Sequence, residues 1–143
     1  MKITFKDCLV RKRIFPFKPA KHLVSLEIED AEKDLNSAQG ELSKSGFKWA
    51  TIKGYYAMFH AARALLYSRG YRERGHYCLY LAIKELFVKE DLLDALIAED
   101  LKNSMALREE ADYRRNFSKK GASATIKSAE RFLKVAKNIL NSN

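Results

Sequence analysis

The sequence predicts an all-α protein, a mostly antiparallel bundle of four to five helices. Three observations lead there. Only two Pro and six Gly interrupt 143 residues, which favours long helices over a turn-rich β fold. Apolar residues recur every three to five positions through most of the chain, the repeat of a helix with one buried face. The polar breaks between these segments are short, and short connections make neighbouring helices antiparallel.

Pro16 and Pro19 set off residues 1–18 as a basic N-terminal arm, leaving 19–143 as one helical domain. Pro19 suits the first turn of a helix. From 20 to 45 the positions Leu23, Leu26, Ala31, Leu35, Ala38 and Leu42 form an apolar stripe, ended by Gly46. Acidic residues crowd the first half of this helix, a placement that favours the positive end of the helix dipole.

The second helix, 47–68, stops at Gly70 and is apolar nearly all round. Trp49, Ile52, Tyr56, Phe59 and Leu66 make one face; Tyr55, Met58, Ala62 and Leu65 make another. Such a helix belongs at the centre of a bundle, or between a core and a dimer partner. Residues 71–75 read as a basic loop, followed by a helix over 76–89 with Leu79, Ile83, Leu86 and Phe87 inward. The fourth helix carries Leu93, Leu96, Ile97, Leu101, Met105 and Ala111, and no Gly or Pro near Glu90-Asp91 marks a break from the one before it. A polar loop over 114–121 precedes the last helix, 122–140, with Ile126, Ala129, Phe132, Leu133, Ala136 and Leu140 buried.

A chain of this length can bury one core. The 47% hydrophobic content excludes wholesale disorder. No apolar run reaches the roughly 18 residues of a membrane span, and MKITFKDCLVRKRIF lacks the apolar centre of a signal peptide. A cytoplasmic protein without a membrane partner is expected. Cys8 and Cys78 are too few for a disulfide framework or a zinc cluster, so two ordinary thiols, no structural metal and no cofactor are expected.

The net charge of +9 is uneven. Residues 1–21 hold seven Lys/Arg against one Asp, whereas 22–46 hold two basic and six acidic residues. Positive charge gathers on the arm, over 63–75 and around 108–120. This is the footprint of a polyanion partner, and equally of an acidic protein partner or of plain solvated surface.

Three groups of residues could carry chemistry. Lys53, Tyr56, His60, Arg63 and Tyr67 share one side of the second helix, mixing cations, a titratable imidazole and rings that stack on bases. The alternative is a hydrogen-bonded core histidine with tyrosines reaching to the edge. Arg108 and Asp112 are four apart with Tyr113 beside them. They form either an unremarked surface pair or an arginine held to grip a phosphate bidentately. His76 follows Arg72 and Arg74, and cations beside a helix start favour its neutral form. That suits a base or a phosphate contact; the alternative is an exposed histidine near a turn.

Gly54–Leu66 (GYYAMFHAARALL), Gly75-His76 and Arg108–Tyr113 (REEADY) together resemble the HEPN family, the higher eukaryotes and prokaryotes nucleotide-binding domain, in its single-domain archaeal and bacterial branch. The resemblance runs from Ala20 to the last helix. It implies a compact helical bundle with a break between the third and fourth helices near Glu90-Asp91, commonly a homodimer, often paired with a minimal nucleotidyltransferase in toxin–antitoxin-like systems. Active members are metal-independent endoribonucleases with an Arg followed within a few residues by a His. Arg108 matches that arginine, but Tyr113 stands where the His is expected. Arg69 and His76 have an allowed spacing, though across a loop at another place in the bundle.

The reading is therefore a module that binds nucleotide or RNA in a basic groove. Arg108, Tyr113, Lys53, Tyr56, Arg63, Arg72 and Arg74 are its binding candidates. An active endoribonuclease using Arg108, Asp112 and His76 or His60 is the alternative, as is a structural adaptor for an acidic protein. Metal-free RNA cleavage needs a base, an acid and a cation. Arg108 supplies the cation and one histidine a proton-transfer group, but a second such group is not evident, which puts binding ahead of cleavage.

Overall fold

The computed structural model describes residues 2–142. Six α-helices and a two-stranded ribbon follow one another as α1 (Phe5–Val10), β1 (Ile14–Pro16), α2 (Ala20–Ser43), α3 (Phe47–Ser68), β2 (Tyr71–Glu73), α4 (His76–Ile83), α5 (Ala95–Tyr113) and α6 (Lys119–Asn141). The predicted helical bundle is what forms. It has one more short helix and a strand pair that the periodicity did not indicate.

The centre is α3. Tyr55, Ala57, Met58, Ala61, Ala62, Ala64, Leu65 and Leu66 are all fully buried, because α2, α5 and α6 pack around it. The alanines serve this packing within the chain, where a small side chain lets a neighbouring backbone approach. Gly54 does the same toward α6: a Cβ there would sit 3.0 Å from Thr125 Cγ2. Gly70, with φ +78°, turns the chain out of α3 in the left-handed conformation that suits glycine.

Side-chain caps mark the starts of three helices. The Thr4 hydroxyl accepts from the Asp7 N–H, and the Asp7 carboxylate accepts from the Thr4 N–H. Asp94 caps α5 through the Leu96 N–H, and Ser118 caps α6 through the Gly121 N–H. The break after the third helix that the resemblance implies falls at Asp91, whose φ is +57°. Before it, α4 loosens into a π-helical turn over Lys84–Val88.

The arm is tied to the domain: β1 pairs antiparallel with β2, in the register Ile14↔Glu73, Phe15↔Arg72, Pro16↔Tyr71. Several expectations are corrected. Residues 71–73 are thus a strand rather than a loop. Cys8 and Cys78 are not two thiols but a disulfide, closing a separation of 70 residues. The strand pairing brings α1 beside the start of α4, and a distance that long in sequence hides the encounter.

The first turn of α2 contains no acidic residue, so its carboxylates do not serve the dipole. Glu27 and Asp34 instead face basic side chains of α3. Trp49, expected inward, is 49% exposed, with the Lys48 ammonium 5.1 Å from its ring centroid, while Ala50 beside it takes the buried place. Leu26 and Leu96 also face outward, and Leu93 is buried just ahead of α5. The last helix begins at Lys119, inside the predicted loop.

Candidate functional site

His76 is the first residue of α4 and packs onto α3. Its ring stacks on Phe59 at a centroid distance of 4.7 Å and on Tyr55 at 5.7 Å. The Tyr55 hydroxyl lies 2.5 Å from His76 Nδ1. Tyr55 is fully buried, and burial first, then the neighbouring Tyr56, pushes its phenol far above the usual tyrosine range. The phenol therefore keeps its proton. Among the described residues it has no hydrogen-bond partner besides Nδ1, so it donates there.

Burial, and then the charge of Arg108, lower the pKa of His76 and favour the neutral ring. With Nδ1 accepting from Tyr55, the ring proton sits on Nε2. His76 thus presents an N–H donor and not a free lone pair.

Arg108 comes from the last turns of α5. Its Nη2 donates to the Tyr56 hydroxyl at 2.9 Å, reaches the Tyr113 hydroxyl at 3.4 Å and pairs with Asp112 Oδ2 at 3.3 Å. Its guanidinium carbon lies 5.3 Å from the Tyr56 ring centroid and 5.2 Å from that of Tyr113. All of these partners are drawn to one nitrogen. Nε is buried with no hydrogen-bond partner, and Nη1 makes no hydrogen bond among the described residues. An arginine held this way keeps Nη1 for an anion, while its buried Nε stays out of reach. Tyr56 touches both halves of the site, since its ring also meets His76 edge-on at 6.3 Å.

His60 and Arg63, on the same side of α3, do different work. Arg63 forks onto Glu73, from Nε at 3.0 Å and Nη2 at 2.8 Å, and reaches Glu27 from Nη1 at 3.1 Å. Both carboxylates are buried. His60 lies 3.4 Å from Glu27 through Nδ1 and 3.4 Å from Asp34 through Nε2. Burial lowers its pKa, but the Glu27 hydrogen bond and the two carboxylate charges outweigh that and raise it. Glu27 is likewise held below the usual carboxylate range: burial opposes ionisation, and His60 and Arg63 overcome it. This is an ion-paired clasp of α2, α3 and β2.

Glu27, Asp30 and His60 also bring donor atoms within 4.8 Å of one another, a spacing that would suit a cation. However, the guanidinium of Arg63 already neutralises Glu27.

Of the sequence candidates, the fold therefore brings together Arg108, Asp112, Tyr113, Tyr56 and His76. It puts His60 and Arg63 in the clasp and leaves Lys53 apart, 3.8 Å from Glu41. Arg72 lies over Phe17 at 5.1 Å and Arg74 over Phe15 at 4.6 Å, both on the ribbon. Sequence reasoning missed Tyr55 and Phe59, which were read only as apolar surface. The available signal was that a tyrosine in a helix apolar all round must find a buried hydrogen-bond partner.

The model of the HEPN domain family matches residues 24–142 of this chain. A protein named "UPF0332 protein" from Archaeoglobus fulgidus is 33% identical over 126 residues, covering 84% of this chain and 97% of its own length. Two proteins of Methanocaldococcus jannaschii are also similar. "Putative toxin MJ0605" is 30% identical over 86 residues, covering 60% of this chain and 64% of its own. "Putative toxin MJ0142" is 27% identical over 104 residues, covering 73% and 70%.

Proposed function

The chain belongs to the HEPN domain family, and from that membership we propose that it is a toxin-like module that binds single-stranded RNA or a nucleotide at Arg108 and His76. The observation that carries this reading is the donor pair itself. A partly engaged guanidinium and a neutral imidazole both meet Tyr56, and their N–H groups are suited to phosphate oxygens. The exposed Tyr113 ring adds a surface on which a base can stack. The names of the two Methanocaldococcus relatives support the toxin-like part. In this proposal the module acts as a homodimer beside a minimal nucleotidyltransferase, in keeping with the resemblance carried by Gly54–Leu66 and Arg108–Tyr113.

A second reading, a metal-independent endoribonuclease, draws on the meeting of Arg108 with a histidine from another helix. Against it stands the proton on His76 Nε2: a general base needs a lone pair facing the 2′-OH. Tyr113 is a poor base at neutral pH, with a reference pKa of about 10.

One experiment separates the readings. Labelled single-stranded RNA is titrated with wild type and Arg108→Ala in EDTA, and anisotropy and RNA integrity are read on the same samples. Binding that falls steeply with salt, weakens in Arg108→Ala and leaves the RNA intact is the expected result. Cleavage by the wild type alone would select the endoribonuclease. Absence of salt-dependent binding would sink both and leave the adaptor for an acidic protein.

A further inference from the structure

His76 has a second neighbourhood, on the side of the N-terminal arm. A cleft of about 280 Å³ opens there, lined by Ile3, Arg11, Arg13, Gly75, His76 and Tyr77, with Cys78 at its floor. Its size is near the lower end for ligand clefts. What distinguishes it is charge. Arg11 and Arg13 are exposed, and neither side chain makes a hydrogen bond or ion pair among the described residues. Four of the eight other arginines are ion-paired: Arg63 to two glutamates, Arg108 to Asp112, Arg131 to Asp100 and Arg114 to Glu110.

The two free guanidiniums are not on a loose tail. The backbone N–H of Arg13 donates to Cys8 C=O at 2.8 Å, and its C=O accepts from the Arg74 N–H at 2.7 Å. The N–H of Arg11 closes α1 onto Asp7 C=O at 2.9 Å. The Cys8–Cys78 disulfide fastens this frame to α4, one residue beyond Tyr77. Both arginines thus leave the chain at a fixed place beside His76, and the backbone there has already lost the ordering entropy that a flexible arm would lose on binding. Tyr77, 37% exposed, supplies an aromatic face at the rim.

We propose that this cleft is a second phosphate subsite, so that a single RNA strand runs from Arg108 across His76 to Arg11 and Arg13. The inference rests on the RNA-binding reading of the Arg108 site and extends it: the ligand is a strand with at least two consecutive phosphates, and a lone nucleotide fills only part of the track. The base between the two phosphates stacks on Tyr77.

The test compares wild type, Arg11→Ala/Arg13→Ala and Arg108→Ala, using a short fluorescein-labelled single-stranded RNA over a series of salt concentrations. Each phosphate contact on a single strand contributes about 0.7 to the slope of log affinity against log salt. Loss of this one phosphate contact therefore lowers the slope of the double variant by about 0.7, and Arg108→Ala lowers it separately. Both arginines are exposed, so the circular dichroism of the double variant should match wild type. Arg11→Lys/Arg13→Lys should keep most of the slope. An unchanged slope and affinity in the double variant, with a loss in Arg108→Ala, would overturn the second subsite and leave the first reading standing. No RNA binding by wild type at low salt would overturn both.

Discussion

The Tyr55 hydroxyl donates to Nδ1 of His76 across 2.5 Å, and this contact decides what the imidazole offers to a ligand. A histidine is bifunctional only while the tautomer is free. Here a buried phenol, with no other acceptor among the described residues, assigns the ring proton to Nε2. The same contact ties the start of α4 to the middle of α3.

Replacing Tyr55 by Phe tests this directly. Tyr55→Phe should lower stability by about 1 kcal/mol, the net worth of a typical hydrogen bond, as read by urea denaturation. RNA affinity should fall as well, because His76 then divides its time between tautomers. Unchanged binding would mean that Nε2–H is not a ligand contact. New RNA cleavage in EDTA would mean that the freed lone pair is all that separates this site from a nuclease.

Arg63 and Arg108 should respond oppositely to truncation. Arg63→Ala strands two buried carboxylates, and breaking a buried pair from one side costs about 3–5 kcal/mol. Arg108→Ala removes a cation whose Nε already lacks a partner, so it should cost less stability and more RNA affinity. Chemical denaturation of both variants beside RNA titrations decides the matter. Equal losses of stability would make Arg108 a structural tie.

The two histidines should give stability opposite pH dependences. The pKa of His60 is raised in the fold, so its contribution is complete below the unfolded value of about 6.5 and is lost as pH rises through the folded value. That of His76 is lowered, so the fold is favoured above about 6.5 and loses this contribution as pH falls toward the folded value. His60→Gln should therefore flatten the alkaline side of a Tm-against-pH curve, and His76→Gln the acid side. If both variants shifted the curve in one direction, the ion-paired and neutral assignments would be wrong.

Reduction should loosen the arm. A disulfide closing a loop as long as that between Cys8 and Cys78 is worth about 4 kcal/mol in the chain-entropy view. Dithiothreitol, or Cys8→Ser/Cys78→Ser, should lower Tm and reduce RNA affinity, with the Arg108 contact retained. A Tm indifferent to reductant would show that the β1–β2 ladder alone holds the arm.

The bundle was legible because helices announce themselves locally: the stripes of α2 and α6 and the all-round apolar character of α3 are periodicities within one segment. No helix here is long and apolar enough to cross a membrane, among the described residues, in keeping with the composition. Arg108, Asp112 and Tyr113 were also legible as a group, since one helical turn brings them together. His76 joins them only through the docking of α4 and α5 against Tyr56 of α3.

What only the tertiary structure decided is pairing across long separations. Sequence alone put Lys53, Tyr56, His60, Arg63 and Tyr67 in one stripe, but it could not say which carboxylates faced them. Glu27 and Glu73 arrive from α2 and β2 and turn part of that stripe into a clasp. It could not join Cys8 to Cys78, β1 to β2, or Tyr55 to His76, because each contact depends on how whole elements dock. Local periodicity determines which face of a helix is buried; the docking of elements determines which polar groups on it are left unpaired, and those are the ones available to a ligand.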